Sequence, residues 1–152
     1  MLERRAEIVK TLRATPVVAR ALVAGVDDTQ LRRRPAPGEW AIIEVVGHLA
    51  DTEERALGRV RRMLTEDTPF LEPFDQEALA EERQYLDLNL NQELARLEQL
   101  RREHLAVLEG LDASGWERTG RHGQHGTMSV ELYETHVAAE EVDHLAQIAR
   151  LL

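Results

Sequence analysis

The chain has 152 residues, 43% hydrophobic and 31% charged, no cysteine, and a net charge of −9 at neutral pH. That size and balance fit one soluble globular domain over residues 1–152 and exclude a disordered chain. They also exclude a disulfide framework or cysteine zinc site, a general nucleic-acid binder, which needs a basic footprint, and, since no apolar run is long enough, a membrane-spanning protein.

The opening stretch MLERRAEIVK is charged and helical in pattern rather than a signal peptide, so the cytoplasm is the expected location. A first helix is expected from Glu3 to about Ala24, with Ile8, Leu12, Val18 and Leu22 near one face and a kink or reset at Pro16. The arginines at 32–34 read as solvated helix-end charge, and the turn Pro35-Ala36-Pro37-Gly38 follows them. A second helix starts near Glu39 and runs to about Leu64, with Ile42, Val45, Leu49, Ala56, Val60 and Met63 as its apolar face. Pro69 and Pro73 punctuate the next stretch, and a short helix is expected from Gln76 to Arg83.

A third long helix begins near Asn89, which with Gln92 has capping-box spacing, and carries the stripe Leu90, Leu94, Leu97, Leu108 and Leu111. A loop with Gly115, Gly120, Gly123 and Gly126 comes next. Thr127 or Ser129 then caps a last helix that runs nearly to Leu152. No stretch alternates as a half-buried strand does, so no significant sheet is expected. Four long amphipathic helices in one small domain predict an all-α four-helix bundle, and the long second connection allows a crossover.

The chemistry concentrates on the last helix. Its stripe reads Tyr133, Val137, Glu140, His144, Ile148, Leu151, and so places a carboxylate and an imidazole four apart on an otherwise apolar face. Burying both is costly without partners, and one divalent metal ion would satisfy both. His48 lies beside Leu49 at the edge of the second helix's apolar face. If those two helices are neighbours, His48, Glu140 and His144 form a three-ligand set with open positions, as in catalytic zinc and non-haem iron sites. A surface hydrogen bond between Glu140 and His144 is the bland alternative.

Other residues carry weaker signals. Glu44 and Asp51 could accept from an imidazole N–H, or simply face solvent. His122 and His125 could line a pocket mouth, and His104 and Arg101 could reach the bundle interior as anion or substrate contacts. Trp40 and Trp116 read as packing residues, and Tyr133 could offer a hydroxyl to the site. No nucleophile elbow and no phosphate-binding glycine loop is present.

The segment PAPGEWAIIEVVGHLADTEERALGRVRRML, with its Pro-x-x-Gly-x-Trp entry and helical His-Leu, resembles the second-helix region of the DinB-like superfamily. The chain end GTMSVELYETHVAAEEVDHLAQIARLL resembles that family's closing helix, and the segment between fits in order and spacing, so the likeness runs from about Thr15 to the C-terminus. It implies a bundle, often a homodimer, that holds a divalent ion (zinc, nickel, iron or manganese) by three side chains. Those are usually three histidines: His48 and His144 match the outer two, and Glu140 replaces the middle one. A carboxylate there remains a competent ligand, and His136, one turn earlier, is the less favoured substitute. The implied function is a metal-dependent thiol S-transferase or hydrolase acting on a small molecule, with a low-molecular-weight thiol as partner. The alternative is a non-catalytic dimeric helical bundle with a stress-response or interaction role.

Overall fold

Residues 2–152 are described by the computed structural model. Helix α1 spans Leu2–Val23, the single turn α2 Asp28–Leu31, α3 Ile42–Thr65, α4 Gln76–Glu82, α5 Leu90–Glu109, the single turn α6 Ala113–Trp116, and α7 Val130–Leu151. Side chains start most of them. Asp27, Asp75, Asn89, Asp112 and Ser129 each accept a backbone N–H from the first turn that follows. α3 begins differently, because Gly38 turns the chain at φ +80° and Ala41 is extended. Its first-turn Glu44 reaches back to the Ala41 N–H at 2.8 Å, which places the start at Ile42 rather than near Glu39.

Pro16 lies inside α1 without ending it. Having no N–H, it leaves the Leu12 carbonyl without its usual helical donor. The Arg101 guanidinium from α5 takes that carbonyl instead. Past Pro16 the buried face continues through Ala19 and Val23, and Val18 is exposed, contrary to its expected place on the stripe. The α3 stripe from Ile42 to Met63 is buried as expected, as are Leu94, Leu97 and Leu108 of α5.

The apolar core falls into two parts. One gathers Ala19 and Val23 of α1, residues 42–50 of α3, Leu94 and Leu97 of α5, and Leu145 and Ile148 of α7. The other gathers Ile8 and Leu12, Ala56 to Met63, Leu105 and Leu108, and Val130 to Ala138. Following each helix from one part to the other gives its direction. α1 and α7 run one way and α3 and α5 the other, so the segment 66–89 is a true crossover between parallel helices. α3 packs on α5 and α7, and α1 packs on α7 and α5.

A small sheet caps one end of the bundle. Strands β1 (Phe70–Leu71), β2 (Thr119–His122) and β3 (Gly126–Ser129) lie in that order, β1 parallel to β2 and β2 antiparallel to β3. The stretch expected as a glycine-rich loop is therefore a hairpin. Its strands are too short for alternation to register, and its turn uses Gly126 at φ +71°. Gly120 lets β2 approach α3: a Cβ there would stand 2.9 Å from Leu71 Cδ1 and 3.0 Å from Met63 Cγ.

Candidate functional site

α3 and α7 run antiparallel beside one another, and the hairpin and the segment before α4 close over them. Between these pieces lies a cavity of about 490 Å³, of the size that holds a small molecule. Five of the six histidines line it: His48 from α3, His122 and His125 from the hairpin, and His136 and His144 from α7.

His48 and His144 are in ring contact, edge to face, with centroids 4.5 Å apart. The back of His48 packs on Trp40, 5.0 Å between centroids, and its Nε2 lies 3.4 Å from Thr52 Oγ1. Burial, and then the neighbouring His144, push His48 down to about 4, so its ring is neutral at physiological pH. His144 Nδ1 stands 2.9 Å from Gln147 Oε1, an acceptor, a contact that suits the tautomer with the proton on Nδ1 and the lone pair on Nε2.

Glu140 lines the same cavity from one turn earlier on α7. It is exposed rather than inward, and it has no hydrogen bond or ion pair among the described residues. As the side chains stand, no group of three or more His, Asp or Glu among the described residues is drawn together tightly enough to hold a metal ion.

Besides Glu131, which Arg5 bonds near the start of the helix, the buried glutamates of α7 are Glu134 and Glu141, a shift that the single apolar stripe did not anticipate. Glu134 and Glu141 belong to a charged layer between the two parts of the core. Arg101 bonds Glu53 through Nε at 2.8 Å and Nη2 at 2.7 Å and also reaches Glu141, while Thr15 receives Arg101 and bonds Glu141. His104 Nδ1 stands 3.0 Å from Glu53 Oε1, and His104 Nε2 stands 3.2 Å from Glu134 Oε1, off the line of a good hydrogen bond. Thus Arg101 and His104 do reach the interior, as anticipated, but their anions are the protein's own. The sequence signal for this layer was present: a charged residue breaks the apolar register of each of α3, α5 and α7 at the same height.

Two further expectations are corrected. Glu44 and Asp51 are buried, yet neither bonds His48. Glu44 is taken by Arg34 and the Ala41 N–H, and Asp51 by Arg83, Arg96 and the Tyr85 hydroxyl. Glu44 therefore secures the connection that leads into α3, and Asp51 secures the crossover. Trp116 packs in the core as expected, and Tyr133 lines the cavity with its hydroxyl 3.4 Å from Arg59 Nη1. Burial pushes that hydroxyl up to about 12, so it stays protonated.

The family model of the DinB superfamily matches residues 11–148 of this chain. The chain belongs to the DinB superfamily. A Geobacillus kaustophilus protein named "Putative metal-dependent hydrolase" is 31% identical over 146 residues, covering 95% of this chain and 82% of that protein. A protein of the same description from Oceanobacillus iheyensis is 28% identical over 145 residues, covering 95% and 84%. The solved structure of YfiT from Bacillus subtilis superimposes with a TM-score of 0.86 at 26% identity, over 99% of this chain and 88% of that one. That structure is described as a probable metal-dependent hydrolase with an unusual four-helix bundle topology. The parallel pairs and crossover found above are the corresponding departure from simple up-and-down order in this DinB-superfamily chain.

Proposed function

We propose that this chain is a metal-dependent enzyme, a hydrolase or thiol S-transferase for a small molecule, with His48, Glu140 and His144 holding a divalent ion. The observation that carries the reading is the ring contact of two neutral-capable imidazoles on the wall of a ligand-sized cavity. The donor set fits a divalent ion of the zinc, nickel, iron or manganese kind. His48 is held neutral by its surroundings, and His144 is oriented through Gln147 with Nε2 left open. Glu140, with no other partner, is free to swing its carboxylate toward them by side-chain rotation. The descriptions of the relatives as metal-dependent hydrolases support the same assignment.

A bound ion would supply Lewis acidity toward a substrate carbonyl or toward a nucleophile. The chain's own residues do the rest. Trp40 backs His48 and keeps it from solvent, while the hairpin and Phe74 roof the cavity and limit its water.

Elemental analysis of protein purified without chelator tests the reading. About one divalent ion per chain is expected, and His144→Ala should lose it while keeping its helical circular dichroism. A metal-free wild type, or a His144→Ala variant with its ion intact, would overturn the assignment. Electrophile turnover that requires an added low-molecular-weight thiol identifies the transferase; ester or amide cleavage without one identifies the hydrolase.

A further inference from the structure

Carboxylates outnumber cationic side chains in this protein, 28 to 19, and most of its arginines are paired with one. Two arginines on the cavity wall are not. Arg55 and Arg59 lie on the same face of α3 as His48, two and three turns further along, and both line the cavity. Arg59 donates to the Glu72 carbonyl and to Tyr133, neither of them an anion.

Arg55 is in a more demanding position. Its guanidinium stacks on Phe74, with Cζ 3.1 Å from the ring centre. Its Nη1 is shut off from solvent and has no hydrogen-bond partner among the described residues. The carboxylate that acts on it, Asp51, already holds Arg83, Arg96 and the Tyr85 hydroxyl. Burial and the neighbouring Arg59 both work against its charge. A half-buried guanidinium facing a second one, without a counter-ion, is an unfavourable arrangement unless something anionic enters. His122 and His136 add imidazoles to the same wall and no negative charge. The carboxylates that also line the cavity, Glu140 and Asp143, come from the His144 end of α7.

We infer that the substrate is an anion whose carboxylate or phosphate group docks on Arg55, with Arg59 beside it, while its reacting group lies at the His48–His144 end. The substrate class rests on the metal-site reading above; the anion site itself does not. Seven residues of α3 separate His48 from Arg55, a rise of about 10 Å, so the anionic group and the reacting group sit at opposite ends of a small molecule rather than on adjacent atoms. The planar guanidinium favours a group with two acceptor oxygens in one plane, which it can grip with two parallel bonds.

The test titrates acetate and inorganic phosphate separately into the full-length, nickel-loaded protein and follows arginine Nε–H and backbone amide shifts by NMR. Saturable binding of one or both is expected, centred on Arg55, and the tighter of the two names the anionic group. Arg55→Gln should weaken it about tenfold or more, and Arg55→Lys should fall between, keeping the charge and losing the fork. Nickel affinity measured calorimetrically should be unchanged in both variants, which also shows that they are folded. His144→Ala should lose nickel and still bind the anion, so failure of the metal site and failure of the anion site read out separately. Absence of saturable binding by either anion would overturn the proposal. So would equal binding by wild type and Arg55→Gln, or binding that survives Arg55→Gln and vanishes in His144→Ala, which would put the anion on the metal.

Discussion

Single residues in this protein carry unusually uneven electrostatic loads, and the two histidines of the interior show it. His48 and His104 are both buried, yet one is pushed down and the other up. The difference is their neighbours: His48 faces another imidazole, whereas His104 lies between Glu53 and Glu134. Burial alone would lower His104, but the two carboxylates outweigh it and raise it to about 10 from an ordinary 6.5. A base raised on folding stabilises the fold fully below its unfolded value and loses that contribution as pH climbs through its folded value. The stability gap between wild type and His104→Gln should therefore be widest at and below about pH 6.5 and narrow as pH approaches about 10, by on the order of 1.4 kcal/mol for each unit the shift spans. Urea unfolding of both proteins across that range measures it. A gap that stays constant with pH would mean His104 is neutral in the fold.

At the scale of elements, the hairpin decides the shape of the cavity, because β2 and β3 bring His122, His125 and Met128 over α3 and α7. That roof depends on Gly120, whose missing side chain lets β2 rest on Leu71 and Met63. Gly120→Ala should cost about 1–3 kcal/mol through overpacking. Gly58, on α3 with open space around it, is the control, and Gly58→Ala should stabilise by about 0.5–1 kcal/mol. Chemical denaturation of the two variants separates them; a stabilising Gly120→Ala would show that the sheet does not press on the bundle as described. The contrast also marks what periodicity could read. The four helices were legible because each repeats its apolar residues over five or more turns, and Asn89 and Ser129 announced their caps. Four-residue strands repeat nothing. The exposed Val18 and the exposed Glu140, both expected on a buried face, were misread for a related reason. A stripe drawn through the apolar residues of one helix cannot see the polar partners that other helices bring to it. For the same reason His48 and His144 could be named from sequence, while Arg55 could not, since a missing counter-ion is a property of the assembled cavity.

The whole molecule is organised by the layer that separates the two parts of its core. Glu53 from α3, Arg101 and His104 from α5, Glu134 and Glu141 from α7 and Thr15 from α1 meet there, so all four long helices contribute. Two cations face three carboxyl groups, and burial drives Glu141 toward its neutral form, which brings the layer toward balance. Such a layer is weak evidence of stability, since the cost of desolvating its charges opposes their attraction. Removing one member is a different matter. Arg101→Met takes both guanidinium bonds from Glu53, which keeps only His104, and leaves the Leu12 carbonyl with only the longer Thr15 hydroxyl bond, and should destabilise by about 3–5 kcal/mol. Replacing Glu53, Arg101, His104, Glu134 and Glu141 together by leucine or methionine should recover most of that loss, because no charge is then left unpaired. What the five-fold variant should not recover is the site. Glu53 lies between His48 and Arg55 on α3, and Glu141 lies between Glu140 and His144 on α7, so the layer sets the heights at which the cavity's two walls face each other. An apolar layer packs well at more than one register. The five-fold variant is therefore expected to unfold at a urea concentration near that of wild type and to bind nickel at least about tenfold more weakly, a loss of on the order of 1.4 kcal/mol. Undiminished nickel affinity in a stable five-fold variant would show that apolar packing alone aligns α3 with α7.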